Sequence, residues 1–301
     1  ITKTILILGY TSHEYAKVLA DNDITQTLVD ESHALELNEA AKAANVTVKG
    51  HIKLDTGMSR AGLFAQGHDA AMKAAEAAER MSKLSNVKVT GMYTHFCVAD
   101  TPDQDEFTAW QLENYKTVMN YLTEKGLRPE TCHTSNSAGI LYHPETQIDM
   151  VREGIILYGM YPDSMPQYGP LKPVMTLKSR VSQVRDFPAG ATVSYGRTFK
   201  GDKPFTTAVV LAGYADGYPR RLSNNTTVTI NGVRYPQAGR ICMDMCMVLA
   251  DKDKVKRGDE VTLIGGNSIS WEDAAQKVGT INYELTCLVT NRVPRVYINE
   301  D

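Results

Sequence analysis

The sequence lacks the patterns that mark membrane, secreted and nucleic-acid-binding proteins. Its 301 residues contain no apolar run long enough to span a bilayer and no signal-peptide pattern. The formal net charge of −3 leaves no excess of basic residues to attract a nucleic acid or an anionic membrane. We therefore expect a cytoplasmic protein with neither a nucleic acid nor a membrane as its partner.

Cysteines are few and form no framework. The five are scattered along the chain: Cys97, Cys132, Cys242, Cys246 and Cys287. Cys242 and Cys246 lack the spacing of a zinc knuckle, and an odd, dispersed set does not predict a disulfide scaffold. We expect reduced thiols and no metal site.

In the first half of the chain, strands alternate with helices. The predicted strands are Thr4–Gly9, Ile24–Val29, Val46–Asp55, Val87–Phe96, Glu130–Ser137 and Ile148–Tyr158. The predicted helices are His13–Ala20, Glu31–Ala44, His68–Leu84 and Asp103–Lys125. This alternation predicts an α/β domain with a parallel sheet, most simply a (β/α)8 TIM-type barrel.

Only six strands precede the change of pattern, whereas a complete barrel has eight and takes about 250 residues. The sequence also begins at Ile1, without a methionine, directly before a predicted strand. We therefore expect the first two strand–helix units of the barrel to be absent from this chain.

From Leu171 onward the sequence is typical of a mostly-β domain. Short strands follow one another with turns between them: Met175–Val184, Thr192–Phe199, Thr206–Leu211, Thr226–Ile230, Val233–Tyr235, Arg240–Leu249 and Glu260–Ile264. One helix is predicted at Trp271–Val278, with Ser270 as its N-cap. We predict two domains, an incomplete barrel over residues 1–170 and a C-terminal β domain over 171–301.

Chemically distinctive side chains gather where four of the predicted parallel strands end. They are Lys53 and Arg60, His95, Asn136 and Ser137, and Arg152 and Gly154. Any one of them has a structural explanation; Arg152, for example, could pair with a carboxylate in a buried strand. Because barrel enzymes build their active sites from several strand ends on one face, the four together predict a ligand site.

Eight motifs resemble the alanine racemase family, whose members are pyridoxal 5′-phosphate (PLP) enzymes with a barrel and a β domain. The matching stretches are HIKLDTGMSRAGL, MYTHF, HTSNSAGI, VREGIILYG, VSYGRTF, LAGYADGY, GRICMD and TINYE. They occur in the family's order over almost the whole chain, so the resemblance is specific.

The resemblance implies a set of residues that hold PLP. Arg152 takes the family position that bonds the pyridine nitrogen. Since arginine does not readily give up a proton, that nitrogen would stay unprotonated and the cofactor would be a weaker electron sink. The phosphate would lie among hydroxyls and backbone N–H groups: Ser137, Gly154, Ile155 and Tyr283, with Asn136 close by.

The resemblance also implies the residues that move protons and bind the substrate. Tyr195 would be the base on one face of the substrate, contributed by the second subunit, and His95 would assist it. Arg60 would lie near the cofactor's phenolic oxygen and the substrate carboxylate. Lys53 is at the position that is often carbamylated in the family, which would give it a negative charge able to orient Arg60.

Two further residues would close the substrate entrance from the partner chain, Tyr214 and Met243. Without the resemblance, ordinary packing inside the β domain would explain both. The implied assembly is a homodimer with shared active sites, acting on a small amino acid.

The implied activity is PLP-dependent conversion of L-alanine to D-alanine for peptidoglycan precursors. Serine is an alternative substrate, because a small pocket rejects one added hydroxyl poorly. A tyrosine at position 283 favours alanine, the smaller of the two substrates. The family's Schiff-base lysine motif, Lys-Ala-(Asp/Asn)-Ala-Tyr-Gly, does not occur in these 301 residues. A PLP-binding fragment without catalysis is therefore the other alternative.

Overall fold

The computed structural model describes residues 3–162 and 171–298, which divide after Gly154 into two compact units. Ile1 and the predicted domain boundary at Pro170 lie outside the described residues. None of the helices in these two ranges is both long and apolar enough to cross a membrane.

The first unit is built on a parallel sheet with helices between its strands. Its strands are β1 (Ile5–Ile7), β2 (Ile24–Leu28), β3 (Val48–Asp55), β4 (Leu63–Phe64), β5 (Val87–Tyr93) and β6 (Thr131–His133). Its helices are α1 (Ala16–Asp21), α2 (Glu31–Ala43), α3 (His68–Ser82), α4 (Asp105–Glu124) and α5 (Ser137–Tyr142). The strands pair in the order β1-β2-β3-β5-β6, with β4 beside β3. The predicted alternation of strands and helices is confirmed. Because β3, β5 and β6 are parallel neighbours, their carboxyl ends lie at one edge of the sheet.

The helices of this unit bury one face each. In α3 the buried residues recur at helical spacing and most are alanine, which lets the helix pack closely. In α4 the residues Tyr115, Val118 and Leu122 are fully buried, and the Tyr115 hydroxyl donates to the Met92 carbonyl at 2.8 Å. Of the aromatic side chains of α4, Tyr115 therefore belongs to the core, and the other three are partly buried.

The predicted strand at Ile148–Tyr158 is wrong. Residues 148–154 are irregular, and Ile155–Tyr158 form a 3₁₀ turn. The backbone of residues 148–154 is hydrogen-bonded to β6 and to the loop after it. The Asp149 N–H donates to the Cys132 carbonyl and the Arg152 N–H donates to the Ser135 carbonyl, both at 3.0 Å. The Asp149 carboxylate, however, accepts the Cys132 N–H at 2.8 Å, a donor that a regular ladder would pair with a carbonyl. The β-branched composition of this segment thus predicts burial but not a ladder.

The second unit is mostly β, as predicted. Its strands are β7 (Leu177–Phe187), β8 (Thr192–Val193), β9 (Phe199–Lys200), β10 (Phe205–Val210), β11 (Thr227–Ile230), β12 (Val233–Pro236), β13 (Cys246–Leu249) and β14 (Glu260–Ile264). Six of them form an antiparallel sheet in the order β12-β11-β14-β7-β10-β13, and β8 pairs with β9. The helix α6 (Trp271–Val278) has the predicted bounds, and the Ser270 hydroxyl accepts the Asp273 N–H at 3.0 Å as its N-cap.

Three predictions for the second unit need correction. The segments predicted as strands at Thr192–Phe199 and Arg240–Leu249 are strands only in part, because Tyr195–Arg197 is a 3₁₀ turn and residues 240–245 are irregular. A second helix, α7 (Asn282–Leu288), was not predicted, and it carries Tyr283.

Candidate active site

The first unit brings together the residues predicted at its strand ends. Lys53 lies near the end of β3, His95 follows β5, and Asn136 and Ser137 begin α5 directly after β6. Arg152 approaches the same edge from the irregular segment, since its backbone N–H donates to the Ser135 carbonyl. The predicted cluster is therefore present, although its last member is not on a strand.

Hydrogen bonds donated by two of its three nitrogens fix the guanidinium of Arg152. Nη2 donates to the carbonyls of Thr94 at 2.7 Å and Thr134 at 2.9 Å. Nη1 donates to His133 Nδ1 at 2.7 Å and to the His133 carbonyl at 3.3 Å. Within the described residues Nε has no partner, so its N–H is the donor left for a ligand. Arg152 has no carboxylate partner there, so the simple buried ion pair is wrong.

Tyr93 forms the floor beneath the cationic groups. Its ring stacks on that of His133 at 4.8 Å and 7°, and the Arg152 Cζ lies 5.1 Å from its centroid. The Lys53 Nζ lies 5.7 Å from the same centroid. The Tyr93 hydroxyl is within 2.8 Å of Thr27 Oγ1 and donates to the Leu8 carbonyl at 3.2 Å. Sequence reasoning missed this residue, although it lies two positions before His95 in the motif MYTHF.

The cationic groups lower one another's proton affinity. Burial, and then the charges of Arg152 and Arg60, lower the pKa of His95 to about 4. Burial, and then the charge of Arg60, lower the pKa of Lys53, while Asp55 opposes that shift. Burial lowers the pKa of Arg152 to about 10. At neutral pH the cluster therefore holds a charged Arg152 next to a neutral His95.

The loop that carries Arg60 is shaped by the carboxylate at the end of β3. Asp55 Oδ1 accepts the N–H of Gly57 at 3.1 Å and that of Ser59 at 2.9 Å, and its backbone carbonyl accepts the Ala65 N–H. Ser59 has a positive φ of 54°, which the tight loop requires. Arg60 itself is exposed, so its guanidinium is accessible to a ligand at this edge.

Ser137 and Gly154 form a small polar recess. The Gly154 N–H donates to Ser137 Oγ at 2.9 Å, and a Cβ on Gly154 would lie only 3.0 Å from that oxygen. Asn136 caps α5 by accepting the Gly139 N–H and donates to the Phe96 carbonyl at 3.2 Å. Since Ser137 Oγ accepts from Gly154, its own proton is free for an anionic ligand.

These groups fit the two ends of PLP. The open Nε donor of Arg152 suits a neutral pyridine nitrogen, and the Ser137 hydroxyl suits a phosphate oxygen. A hydrogen-bonded pair of histidines that sequence reasoning also missed supports Arg152 from behind, with His133 Nε2 lying 3.0 Å from His51 Nδ1. Histidines on different strands give no local signal, although both lie inside the quoted motifs.

In the second unit one short segment holds three of the predicted residues together. The segment comprises residues 239–244 and includes Met243. The Tyr214 N–H donates to the carbonyl of Cys242, in that segment, at 3.1 Å. The turn of Tyr195 is attached to it by Ser194 Oγ, which donates to the Arg240 carbonyl at 2.6 Å.

All three side chains point into solvent. The exposed fractions of Tyr195, Met243 and Tyr214 are 70%, 53% and 44%. Packing inside the β domain is therefore wrong as an explanation of Tyr214 and Met243. Tyr283 is 36% exposed on α7, whereas Ile155 is buried in the core of the second unit.

Comparison with known proteins identifies both halves of the chain. The family model of the alanine racemase N-terminal domain matches residues 1–162, and that of the C-terminal domain matches residues 174–297. Since the first match starts at residue 1, it does not support the prediction that the segment with the Schiff-base lysine is missing.

Curated relatives and solved structures agree with these matches. The alanine racemase of Desulfovibrio desulfuricans is 42% identical over 300 residues, covering 99% of this chain and 79% of the relative. That of Methanococcus maripaludis is 41% identical, covering 99% and 80%. The solved alanine racemase of Clostridium difficile 630 is 38% identical with a TM-score of 0.91, covering 99% of this chain and 77% of that one.

A Bacillus anthracis alanine racemase with bound L-Ala-P is 32% identical with a TM-score of 0.86, covering 99% of this chain and 77% of that one. These likenesses confirm the predicted combination of a TIM-like barrel and a β C-terminal domain. With both family models matched and relatives above 40% identity over nearly its full length, this chain belongs to the alanine racemase family.

Proposed function

We propose that this protein is an alanine racemase that uses PLP to convert L-alanine to D-alanine for peptidoglycan precursors. Family membership supports PLP as its cofactor. The observation that carries the proposal is the guanidinium of Arg152, which is fixed through Nη1 and Nη2 and whose Nε has no partner among the described residues. Gly154, two positions further along the chain, forms the polar recess with Ser137.

When bound, PLP supplies the electron sink that makes the Cα proton of an amino acid acidic. Arg152 would donate from Nε to the pyridine nitrogen and, being charged at neutral pH, would keep that nitrogen unprotonated. Such a weakened sink favours return of the proton to Cα over transfer elsewhere. The phosphate would be held by Ser137, the backbone at Gly154 and Ile155, and Tyr283, with Asn136 capping the adjacent helix.

Proton transfer at Cα would use a tyrosine and a neutral histidine. Tyr195 Oη would give or take the proton on one face of the substrate. His95 is neutral because its pKa lies at about 4, so it can accept a hydrogen bond from the phenol. Arg60, exposed on its loop, would bind the substrate carboxylate.

The exposure of three residues of the second unit supports a homodimer. Tyr195, Tyr214 and Met243 face solvent, whereas Arg152, Ser137 and Gly154, proposed for PLP, lie in the first unit. A homodimer in which each chain supplies these three side chains to its partner's site would use both sets. Tyr214 and Met243 would then narrow the substrate entrance.

Lys53 is proposed to carry a carbamate. Its amine is buried near Arg60 and Arg152, and its pKa is lowered, so more of it is present as the neutral nucleophile that reacts with carbon dioxide. In this reaction the amine nitrogen bonds to the carbon of CO₂ and releases one proton, leaving an anion. That anion would pair with Arg60 and relieve the repulsion within the cluster.

The proposal is tested by supplying the protein with PLP and L-alanine and measuring D-alanine by chiral chromatography. D-alanine should form, and L-serine at equal concentration should racemise more slowly. A serine rate as high as that for alanine would assign the protein to the serine racemases of this family. Bound PLP without racemisation of either amino acid would leave a PLP-binding protein without catalysis.

Borohydride reduction followed by intact mass measurement adds an independent readout. A mass increase by one covalently attached PLP would demonstrate a Schiff-base lysine in the protein used. No increase, together with bound PLP and no D-alanine, would contradict the proposed activity.

A further inference from the structure

The hydrogen bonds that join Arg152, His133 and His51 have donors and acceptors that can be assigned in turn, starting from Arg152. Arginine has only donors, so His133 Nδ1, 2.7 Å from Arg152 Nη1, must be an unprotonated acceptor. A neutral imidazole then carries its proton on Nε2, which lies 3.0 Å from His51 Nδ1. His51 Nδ1 is therefore an acceptor as well, and His51 carries its proton on Nε2.

The strand geometry gives His51 a dedicated place. The register between β3 and β5 shifts between Gly50 and His51, and such an irregularity re-aims the side chains beside it. After the shift, His51 pairs with Gly91, where an added Cβ would lie 2.4 Å from the imidazole ring. Only glycine at position 91 leaves room for this ring.

Burial keeps both histidines in the form that these bonds need. Burial lowers the pKa of His51 to about 4. Burial, and then the charge of Arg152, lower the pKa of His133 to about 2. Both rings are thus neutral at pH 7, and each has one donor and one acceptor nitrogen.

We infer that His51 is a positioning residue for the cofactor: by accepting from His133 Nε2, it holds the imidazole ring whose Nδ1 anchors Arg152 Nη1. With Nη1 and Nη2 both anchored, Nε is the donor that faces the pyridine nitrogen. Without an acceptor at position 51, the buried Nε2 proton of His133 is left unpaired, and the ring can turn away from Arg152 toward another acceptor. This inference rests on the proposed use of PLP.

Two matched variants separate the acceptor from the bulk of the side chain. His51→Asn keeps an acceptor, Oδ1, near the position of Nδ1. His51→Leu has a similar size and no acceptor. Each variant is labelled with ¹⁵N-histidine to report the protonation of the His133 ring nitrogens, and PLP binding to the full chain is titrated by fluorescence. Circular dichroism checks that both variants fold.

The wild type should have His133 protonated on Nε2, and His51→Asn should keep this state. His51→Leu should change the shifts of the His133 ring nitrogens, because the Nε2 proton loses its acceptor, and should bind PLP about tenfold more weakly, the loss expected for one charge-assisted hydrogen bond. A His133 proton on Nδ1 in the wild type would overturn the inference without any variant. So would unchanged His133 signals or unchanged PLP affinity in His51→Leu.

The two proposals fail differently. Absence of PLP binding by the wild type would overturn the proposed function, whereas the nitrogen shifts of His133 would still decide whether His51 holds its ring.

Discussion

Arg152 lies over the face of Tyr93, with its Cζ 5.1 Å from the ring centroid, and Lys53 Nζ approaches the same ring at 5.7 Å. The negative electrostatic potential over the faces of the Tyr93 ring attracts both cations and offsets part of their mutual repulsion. Tyr93 is thus the common support of the residue proposed for the pyridine nitrogen and of the one proposed for carbamylation.

Replacing Tyr93 tests this support. Tyr93→Phe keeps the ring and removes the hydroxyl that contacts Thr27 Oγ1 and the Leu8 carbonyl, so the free energy of unfolding should fall by about 1 kcal/mol while PLP affinity is kept. Tyr93→Leu also removes the ring face, which is worth about 1–2 kcal/mol to a desolvated cation, so PLP should bind several-fold more weakly. Equal PLP affinity of the two variants, measured by titration, would contradict the role of the ring.

Replacing Arg152 with Glu should change the outcome of the reaction. A carboxylate at this position would favour a protonated pyridine nitrogen and a stronger electron sink. We expect D-alanine formation to fall at least about tenfold and pyruvate from transamination to rise, both measured by chromatography. Arg152→Lys is the control that keeps the positive charge, and it should not raise pyruvate. Unchanged products in Arg152→Glu would exclude the pyridine nitrogen as the partner.

Folding stability should decrease as the pH falls below neutral. The pKa values of His51 and His95 are lowered from 6.5 to about 4, so between these values the unfolded state binds protons that the folded state does not. Each histidine then removes about 1.4 kcal/mol of stability per pH unit on acidification, and above pH 6.5 the effect vanishes. Urea unfolding at several pH values measures how the free energy of unfolding changes with pH. His51→Asn should reduce that slope by about 1.4 kcal/mol per pH unit, the amount that one histidine contributes. An identical slope in that variant would show that His51 titrates normally.

A carbamate on Lys53 should be detectable directly. Protein equilibrated with ¹³C-bicarbonate should give one carbamate signal in its NMR spectrum, and Lys53→Arg should abolish it. Removing dissolved carbon dioxide should lower the rate of racemisation, and small anions should restore part of it if negative charge near Arg60 is what matters. A spectrum without such a signal in the fully active wild type would reject the modification.

The shared site can be tested by complementation. Chains with Tyr195→Ala and chains with Arg152→Ala should each be inactive, but mixing them after reversible dissociation should restore one intact site in each heterodimer. About a quarter of wild-type activity is expected, since half of the dimers are mixed and each has one functional site of two. A mixture as inactive as its components would contradict the exchange of Tyr195 between subunits.

The sequence allowed the layout of the fold to be predicted well where periodicity is strong. Alternating strands and helices predicted the parallel sheet, and α6 was predicted with its cap because Ser270 and the apolar spacing agree. The segment of Ile148–Tyr158 was assigned to a strand because its composition suits burial. The Asp149 side chain accepts the Cys132 N–H, and the local sequence gives no sign of this contact between two segments.

The candidate site was predicted in its motif residues and missed in its supports. Lys53, His95 and Arg152 have polar side chains at apolar strand ends and therefore stand out. His51 lies inside β3, and Tyr93 and His133 are the last residues of β5 and β6; a buried ring is ordinary in a strand. Their importance depends on contacts across the sheet, such as the bond between His51 and His133, which are 82 positions apart.

The attachment of three exposed side chains to residues 239–244 has a consequence for engineering. Tyr195 depends on this segment through Ser194 and Arg240, Tyr214 depends on it through Cys242, and Met243 belongs to it. Substitutions at the three positions will therefore be epistatic, because residues that share a backbone support do not respond independently. Libraries that aim to widen substrate choice should vary them jointly, since the best single changes will not sum to the best combination.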